Sequence, residues 1–292
     1  MTRDPAPAGS PRPEPSESEV VVRRFLGRVG FYVFIVLVGA FFALPMVWLV
    51  LAPFDAHPTL NAALPDFTLA NFGDVFKDPY ALSSLGVSIL LAVGTMLLVV
   101  VLSAPAAYAL SRVRLPGRDL LLYLLLLFSS IVTGTAAMVP LFLLIYDLGL
   151  TDTHLGVVLV LAGGLVPAGI FILKDFVDSI PTSYEESARL FGASSFQILR
   201  DIVLPYARPG VAVIAVWVMV NVWGNFLIPF ILLRTPSSQP AAVVIYNFYT
   251  EGGQADLRLI STFGLLYSIP VVVMYLFVNR RYGFRFYGGL KG

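Results

Sequence analysis

Apolar residues gather along this 292-residue chain into six long stretches, near 29–51, 84–110, 120–146, 155–176, 211–233 and 259–278, with polar residues concentrated between them. The stretches are continuously apolar and do not alternate, which argues against barrel strands and for helices. A helix needs roughly 20 residues to cross about 30 Å of hydrocarbon, and each stretch is of that order. The pattern predicts an all-α fold, a polytopic membrane bundle of six transmembrane helices. Pro45, Pro105, Pro140, Pro167 and Pro270 fall inside the stretches, where a packed membrane bundle accommodates them as kinks.

Residues 1–22 differ from everything that follows. Pro5, Pro7, Pro11, Pro13 and Pro15 are interspersed there with Ser, Glu and Arg and no helical apolar period. Such a composition does not bury enough surface to offset the entropy of ordering, so a disordered Pro-rich tail is expected over 1–22 and a single six-span domain over 23–292. The first apolar stretch is long and starts late, which reads as a retained anchor and not as a cleaved signal.

Charge fixes an expected orientation. Of the 19 Lys and Arg, only Lys77, Arg234 and Arg258 fall in segments that lie outside when the amino terminus is inside. By the positive-inside rule both termini are expected in the cytoplasm. Composition agrees with the membrane reading: 58% of residues are hydrophobic, 13% are charged and the mean hydropathy is +0.84. The net charge of +1 averages over loops on opposite sides of a membrane and gives no reason to expect a nucleic-acid partner. There is no cysteine, which removes thiolate metal sites and cysteine nucleophiles. His57 and His154 lie far apart in outer loops without further ligands at metal spacing, so no metal site is expected.

One inner loop, 179–205, carries its own helical signals. Ser183 with Glu186 has the spacing of a capping box, Glu185 adds negative charge to the same helix start, and Gly192 is placed to end a short helix. Ser194 with Gln197 is a second box, opening a helix expected to run to Leu204 and stop before Pro205. Tyr184, Ala188 and Phe191 share one side of the first helix by spacing. An apolar side on so short a helix suggests docking into a groove on another protein.

Glu186-Ser187-Ala188, Gly192 and Ile202-Val203-Leu204-Pro205 resemble the Glu-Ala-Ala…Gly…Ile-x-Leu-Pro signature of bacterial ABC importer permeases, the binding-protein-dependent transport family. Two positions depart from it: Ser187 stands where alanine is usual, and Phe191 where an aspartate often precedes the glycine. Ala107-Tyr108-Ala109-Leu110-Ser111-Arg112 with Pro116-Gly117-Arg118, Trp223-Gly224-Asn225-Phe226 and Gly288-Gly289-Leu290-Lys291-Gly292 resemble further elements of that family, in particular its carbohydrate subgroup and the second permease subunit of maltose-type importers.

The resemblance implies a sugar or polyol importer subunit located in the bacterial inner membrane. It also implies a second, different permease subunit, two cytoplasmic ABC ATPase subunits, an extracytoplasmic substrate-binding protein and surrounding lipid. ATP and Mg would be bound by the ATPases, because this chain has no Gly-x-x-x-x-Gly-Lys-Ser/Thr loop. Coupling to the ATPase is expected at Tyr184, Glu185, Glu186, Ser187, Ala188, Leu190, Phe191, Gly192 and Ala193.

A translocation path needs polar groups within the bundle. Tyr108, Ser130, Thr133, Asn221, Trp223 and Asn225 are the candidates, with Ser129 and Thr135 beside them. Asn221 and Asn225 are four apart and share a helix face; the competing reading of these amides is helix-to-helix hydrogen bonding. A stand-alone secondary carrier is the alternative function. The absence of Asp, Glu, Lys or Arg from the middle of the six stretches weighs against it, because ion-coupled carriers usually place ionisable groups there. No hydrolase motif or intramembrane carboxylate pair supports a membrane enzyme.

Overall fold

The computed structural model describes residues 17–59, 66–113, 116–132, 135–249 and 255–282. The described residues are helical without a strand; the β-type contacts recorded among them are two isolated bridges, Asp55 with Phe67 and Tyr249 with Ala255. The helices in chain order are α1 Glu17–Leu51, α2 Ala70–Lys77, α3 Ala81–Arg112, α4 Arg118–Val132, α5 Met138–Asp147, α6 His154–Asp178 and α7 Ser183–Leu190. They continue with α8 Ser195–Ile198, a π-helical turn Leu199–Val203, α9 Leu204–Tyr206, α10 Arg208–Trp223, α11 Leu227–Leu232, α12 Ala241–Val244 and α13 Leu257–Tyr282.

The chain divides into two units, Met1–Leu51 and Ala52–Gly292. The first is α1, apolar on every side over the part that is long enough to cross a membrane. Helix begins at Glu17, so 17–22 are helical within the segment expected to be a tail; residues 1–16 lie outside the described residues.

In the second unit α3 is the central helix, packed against α6 along much of its length and against α10 on another side. Because lipid is as apolar as leucine, close packing and hydrogen bonds hold such a bundle together where a soluble core would rely on water exclusion. Gly169 shows how close α3 and α6 come. A Cβ there would lie 2.7 Å from Ser103 Oγ and 2.9 Å from a Val99 methyl. Ser103 itself donates to the Val166 carbonyl at 3.3 Å, tying the same pair of helices. Val99, Ala107, Val157, Ile214 and Val218 are fully buried between these three helices. A smaller cluster of Val75, Ala81, Phe248 and Phe263 joins α2 and α13 to the segment after α12.

Two expected spans are broken. In the stretch 120–146, α4 is described to Val132 and a 3-10 turn at Thr135–Ala137 leads into α5, with Pro140 in the first turn of α5, where its missing N–H costs no helical bond. The stretch 211–233 stops at Trp223. Gly224 ends α10, and Pro229 lies in the first turn of α11. Four described helices are long and apolar enough to cross a membrane, namely Leu26–Phe54, Ala81–Arg112, His154–Asp178 and Leu257–Arg280. A fifth span arises if Ser195–Tyr206 and Arg208–Trp223, bent by 76°, are taken together. Pro45, Pro105, Pro167 and Pro270 sit inside continuous helices, as expected.

Candidate functional site

The loop between α6 and α10 is built around Glu185. This residue is 3% exposed, although it sits on a short surface helix. Its carboxylate accepts from the Tyr108 hydroxyl at 3.0 Å and from Arg112 Nε at 2.6 Å. Tyr108 and Arg112 are one turn apart at the end of α3, so both side chains reach the same face. The Arg112 guanidinium also donates to the carbonyls of Val177 at 3.1 Å and Ile180 at 3.0 Å. It therefore clamps the end of α6 to α3 while holding α7. Beside it, Ser111 and Lys174 both donate to Asp178, closing a polar belt around the helix ends. A buried carboxylate is tolerable only with such charge-assisted partners.

Burying Glu185 turns the rest of α7 outward. Tyr184, Glu186, Ser187 and Arg189 are exposed, Leu190 is 87% exposed and Phe191 is 93% exposed. The apolar side expected from Tyr184, Ala188 and Phe191 is divided: Ala188 packs inward against the core, Tyr184 stacks on Tyr206, and Phe191 projects freely with Leu190. The signature glutamate Glu186 is on the exposed surface.

The caps differ from expectation at one end only. Thr182 precedes α7 without a side-chain cap, and the Ser183–Glu186 box does not form; the Glu185 and Glu186 amides donate to the Thr182 carbonyl at 3.0 Å instead. Pulling Glu185 inward sets the helix rotation, and the short side chain at Ser183 is already within the helix. At the other end Gly192 has φ +85°. The Gly192 amide donates to the Arg189 carbonyl and the Ala193 amide to the Ala188 carbonyl, both at 3.0 Å. This is a Schellman termination, and its left-handed residue favours glycine. The second box forms as expected: the Ser194 amide donates to Gln197 at 2.8 Å and the Gln197 amide to Ser194 at 3.3 Å.

The helix opened by Ser194 does not stop before Pro205 but continues to Tyr206. The π turn shifts the register, so that the Leu204 amide donates to the Leu199 carbonyl five residues back. A π turn relieves the i−4 demand that proline cannot meet. The chain then bends by 76° into α10, which makes the loop mechanically continuous with a membrane helix.

A second polar feature lies within the bundle. Asn221 of α10 and Asn225, two residues beyond its end, face Ser129 of α4 and Gly164 of α6 across a hollow of about 340 Å³, with Trp217 on its wall. Asn221 donates to the Trp217 carbonyl at 2.8 Å, and Asn225 accepts from the Ile228 amide at 3.2 Å, which caps the start of α11. Each amide keeps further polar capacity toward the hollow.

Two other candidates are elsewhere. Trp223 is buried, stacks on Tyr267 and donates to its carbonyl at 3.1 Å, while the Tyr267 hydroxyl donates to the Trp223 carbonyl. It locks α10 to α13 and does not line the hollow. Tyr108 is a partner of Glu185 at the helix ends and is not among the residues that line this hollow. The Ser130 side chain and Thr133 lie outside the described residues, as does the 288–292 terminus. Sequence reasoning missed Arg112 as part of the site, although its spacing of four from Tyr108 was the available signal.

A family model described as binding-protein-dependent transport system inner membrane component matches residues 117–285. The chain is 31% identical over 253 residues to the trehalose transport system permease protein SugB of Mycobacterium tuberculosis (strain CDC 1551 / Oshkosh), covering 84% of this chain and 90% of that protein. It is 29% identical over 275 residues to the galactooligosaccharides transport system permease protein GanQ of Bacillus subtilis (strain 168), covering 91% and 95%. Among solved structures, a bacterial ABC transporter involved in the import of the acidic polysaccharide alginate matches with a TM-score of 0.76 at 24% identity, covering 93% of this chain and all of that one. The hydrophobic bundle, the inter-helix loop with its glycine-terminated helix and the family match over that loop together place the chain among the binding-protein-dependent transport system inner membrane components, the membrane permeases of bacterial ABC transporters.

Proposed function

We propose that this chain is the transmembrane permease subunit of an ATP-driven carbohydrate importer, and that 179–205 is its coupling loop. The observation that carries the proposal is the contrast within α7: Glu185 is anchored inward by Tyr108 and Arg112 while Leu190 and Phe191 project almost fully exposed beside Gly192. An exposed apolar pair on a rigidly anchored helix is suited to insertion into a groove. The partner with that groove is a cytoplasmic ABC ATPase, two copies of which would serve this subunit and a second, different permease. ATP and Mg belong to those ATPases.

In this reading 23–292 is one six-span domain with both termini cytoplasmic, 1–22 is a cytoplasmic tail, and the broken 120–146 and 211–233 stretches each count as one span. Movement of α7 on ATP binding is transmitted through Glu185 and Arg112 to α3 and, by the carbonyls of Val177 and Ile180, to α6. The same loop pulls on α10 through its bend. Of these, α6 and α10 join α4 in lining the hollow that holds Ser129, Asn221 and Asn225, so rocking them alters access to it. Amides beside an indole ring suit hydroxyl-rich solutes, and the names of the relatives, which include trehalose and galactooligosaccharide systems, support a sugar delivered by an extracytoplasmic binding protein.

The test is a Leu190→Ser/Phe191→Ser double variant, expressed with the other transporter subunits. It is expected to remain in the membrane and keep its thermal midpoint while the ATPase no longer copurifies. Full retention of the ATPase together with substrate-stimulated hydrolysis would overturn the assignment of the loop.

A further inference from the structure

We infer that the chain carries a built site for an anionic phospholipid, in a groove between α3, α10 and α13 at the end of the bundle where the coupling loop enters. The groove holds about 500 Å³ and is lined by Val100, Leu204, Val211, Ala215, Phe277 and Val278, with Arg200 and Arg208 also contributing to its lining. Its chemistry is divided along its length. Arg208 is the first residue of α10, whereas Val211 and Ala215 lie one and two turns further in, so the apolar wall extends roughly 10 Å beyond the cation. Val100 sits 12 residues before the Arg112 end of α3, which places the apolar end roughly 18 Å from that helix end, comparable to the ~15 Å of one hydrocarbon leaflet.

One of the two groove cations is left without a salt bridge among the described residues. Among the described residues Arg200 pairs with its neighbour Asp201 at 2.9 Å, and no salt bridge is recorded for Arg208. Arg280 lines an adjoining hollow with Val273, Leu276 and Phe277, so Phe277 joins the two and a third cation is available at the same end. On the outer face of α13, Val272, Val273, Leu276 and Phe277 are exposed, which is the character of a lipid-facing helix. A phosphodiester at the arginines and an acyl chain along Val211, Ala215 and Val100 match the division between charge and hydrocarbon. Basic pockets between spans on the cytoplasmic side are suited to anionic headgroups. The groove also borders Leu204 and Pro205, so an occupying lipid would brace the bend between the coupling loop and α10.

The test uses the chain within its assembled transporter, purified in mild detergent, exchanged against phosphatidylcholine and analysed for retained phosphatidylglycerol by mass spectrometry. Wild type is expected to retain phosphatidylglycerol over phosphatidylcholine. Arg200→Gln and Arg208→Gln should each lower retention roughly fivefold, the ~1 kcal/mol of one basic side chain at an anionic surface. Arg208→Lys should keep most of it. Ala215→Phe, which fills the groove and leaves both arginines in place, should release the lipid, and copurification of the other subunits reports whether each variant still assembles. Equal retention of the two lipids, or retention untouched by Arg208→Gln and Ala215→Phe in assembled complexes, overturns the proposal. So does displacement of the lipid by inorganic phosphate, which would mark a free-anion site. A photo-crosslinker at position 215 that captures the second permease subunit instead of lipid would overturn it as well.

Discussion

Arg112 and Glu185, 73 residues apart in the chain, meet at 2.6 Å where the last turn of α3 passes the first turn of α7, with side chains 14% and 4% exposed. This contact joins the membrane bundle to the helix proposed to meet the ATPase. The fork of Arg112 serves Glu185 and two α6 carbonyls at once, which a lysine ammonium at the end of a flexible stem does not reproduce.

Arg112→Ala is expected to destabilise the chain by about 3 kcal/mol, because among the described residues it leaves the buried Glu185 carboxylate with the Tyr108 hydroxyl as its hydrogen-bond donor. Arg112→Lys should recover only part of this. The exchanged double variant Arg112→Glu/Glu185→Arg should not restore stability, since a glutamate at 112 cannot donate to Val177 and Ile180. Thermal unfolding in detergent orders these variants, and restoration by the exchange would show that the α6 carbonyl contacts are unimportant.

Gly192→Ala isolates the cost of backbone conformation, because an added Cβ there meets nothing within 4 Å. The φ of +85° then predicts a loss of about 1–2 kcal/mol in the local termination of α7. Gly192→Asn should be milder. Substrate-stimulated ATPase activity of the reconstituted transporter is expected to fall in the same order, with alanine worse than asparagine.

Asn221→Leu should weaken solute affinity roughly fivefold, the ~1 kcal/mol of one hydrogen bond, without loss of ATPase assembly. Asn225→Ala behaves differently because its side chain caps α11 at Ile228; about 1 kcal/mol of stability should be lost alongside any effect on transport. Uptake measured against solute concentration, with thermal unfolding in parallel, separates the two.

Asp152 supplies a pH dependence outside the membrane segments. The Thr235 hydroxyl, then the Thr235 and Arg234 amides, hold its carboxyl below the ordinary carboxylate range. A lowered folded-state pKa means that the contribution is complete above the unfolded value near 4 and is lost as pH falls through the folded one. Asp152→Asn tests this without disturbing the backbone, because asparagine tolerates the left-handed φ of 58° at this position. The gap in thermal midpoint between wild type and variant should be constant at neutral pH and close below about pH 4. A gap that widens on acidification would contradict the sign.

Much of the local structure of the loop is legible in the sequence. The loop, its glycine stop and its second capping box follow from local rules, since each involves groups within a few residues of one another, and Gly192, Ser194 and Gln197 behave as their spacing implies. Asn221 and Asn225 were expected on one helix face; α10 ends at Trp223, before Asn225, yet both amides line one hollow with Ser129. Which glutamate turns inward was not legible. Glu185 and Glu186 are adjacent and equally acidic, and only the position of Arg112 and Tyr108 at the end of α3 selects Glu185.

The sequence by itself determined that this is a helical membrane chain and that the loop 179–205 holds two short helices; hydropathy, glycine and proline act through the backbone within a turn or two. Tertiary structure decided that the Ser183 box would not form, that the helix would pass Pro205 through a π turn, that Trp223 would lock α10 to α13 and that Glu185 would be the buried anchor. Those outcomes depend on partners 44 to 77 residues away, or on the packing of the loop against the bundle. A polar group taken out of water goes to the donor or acceptor that the fold brings within 3 Å of it, and nearness in the chain does not choose that partner.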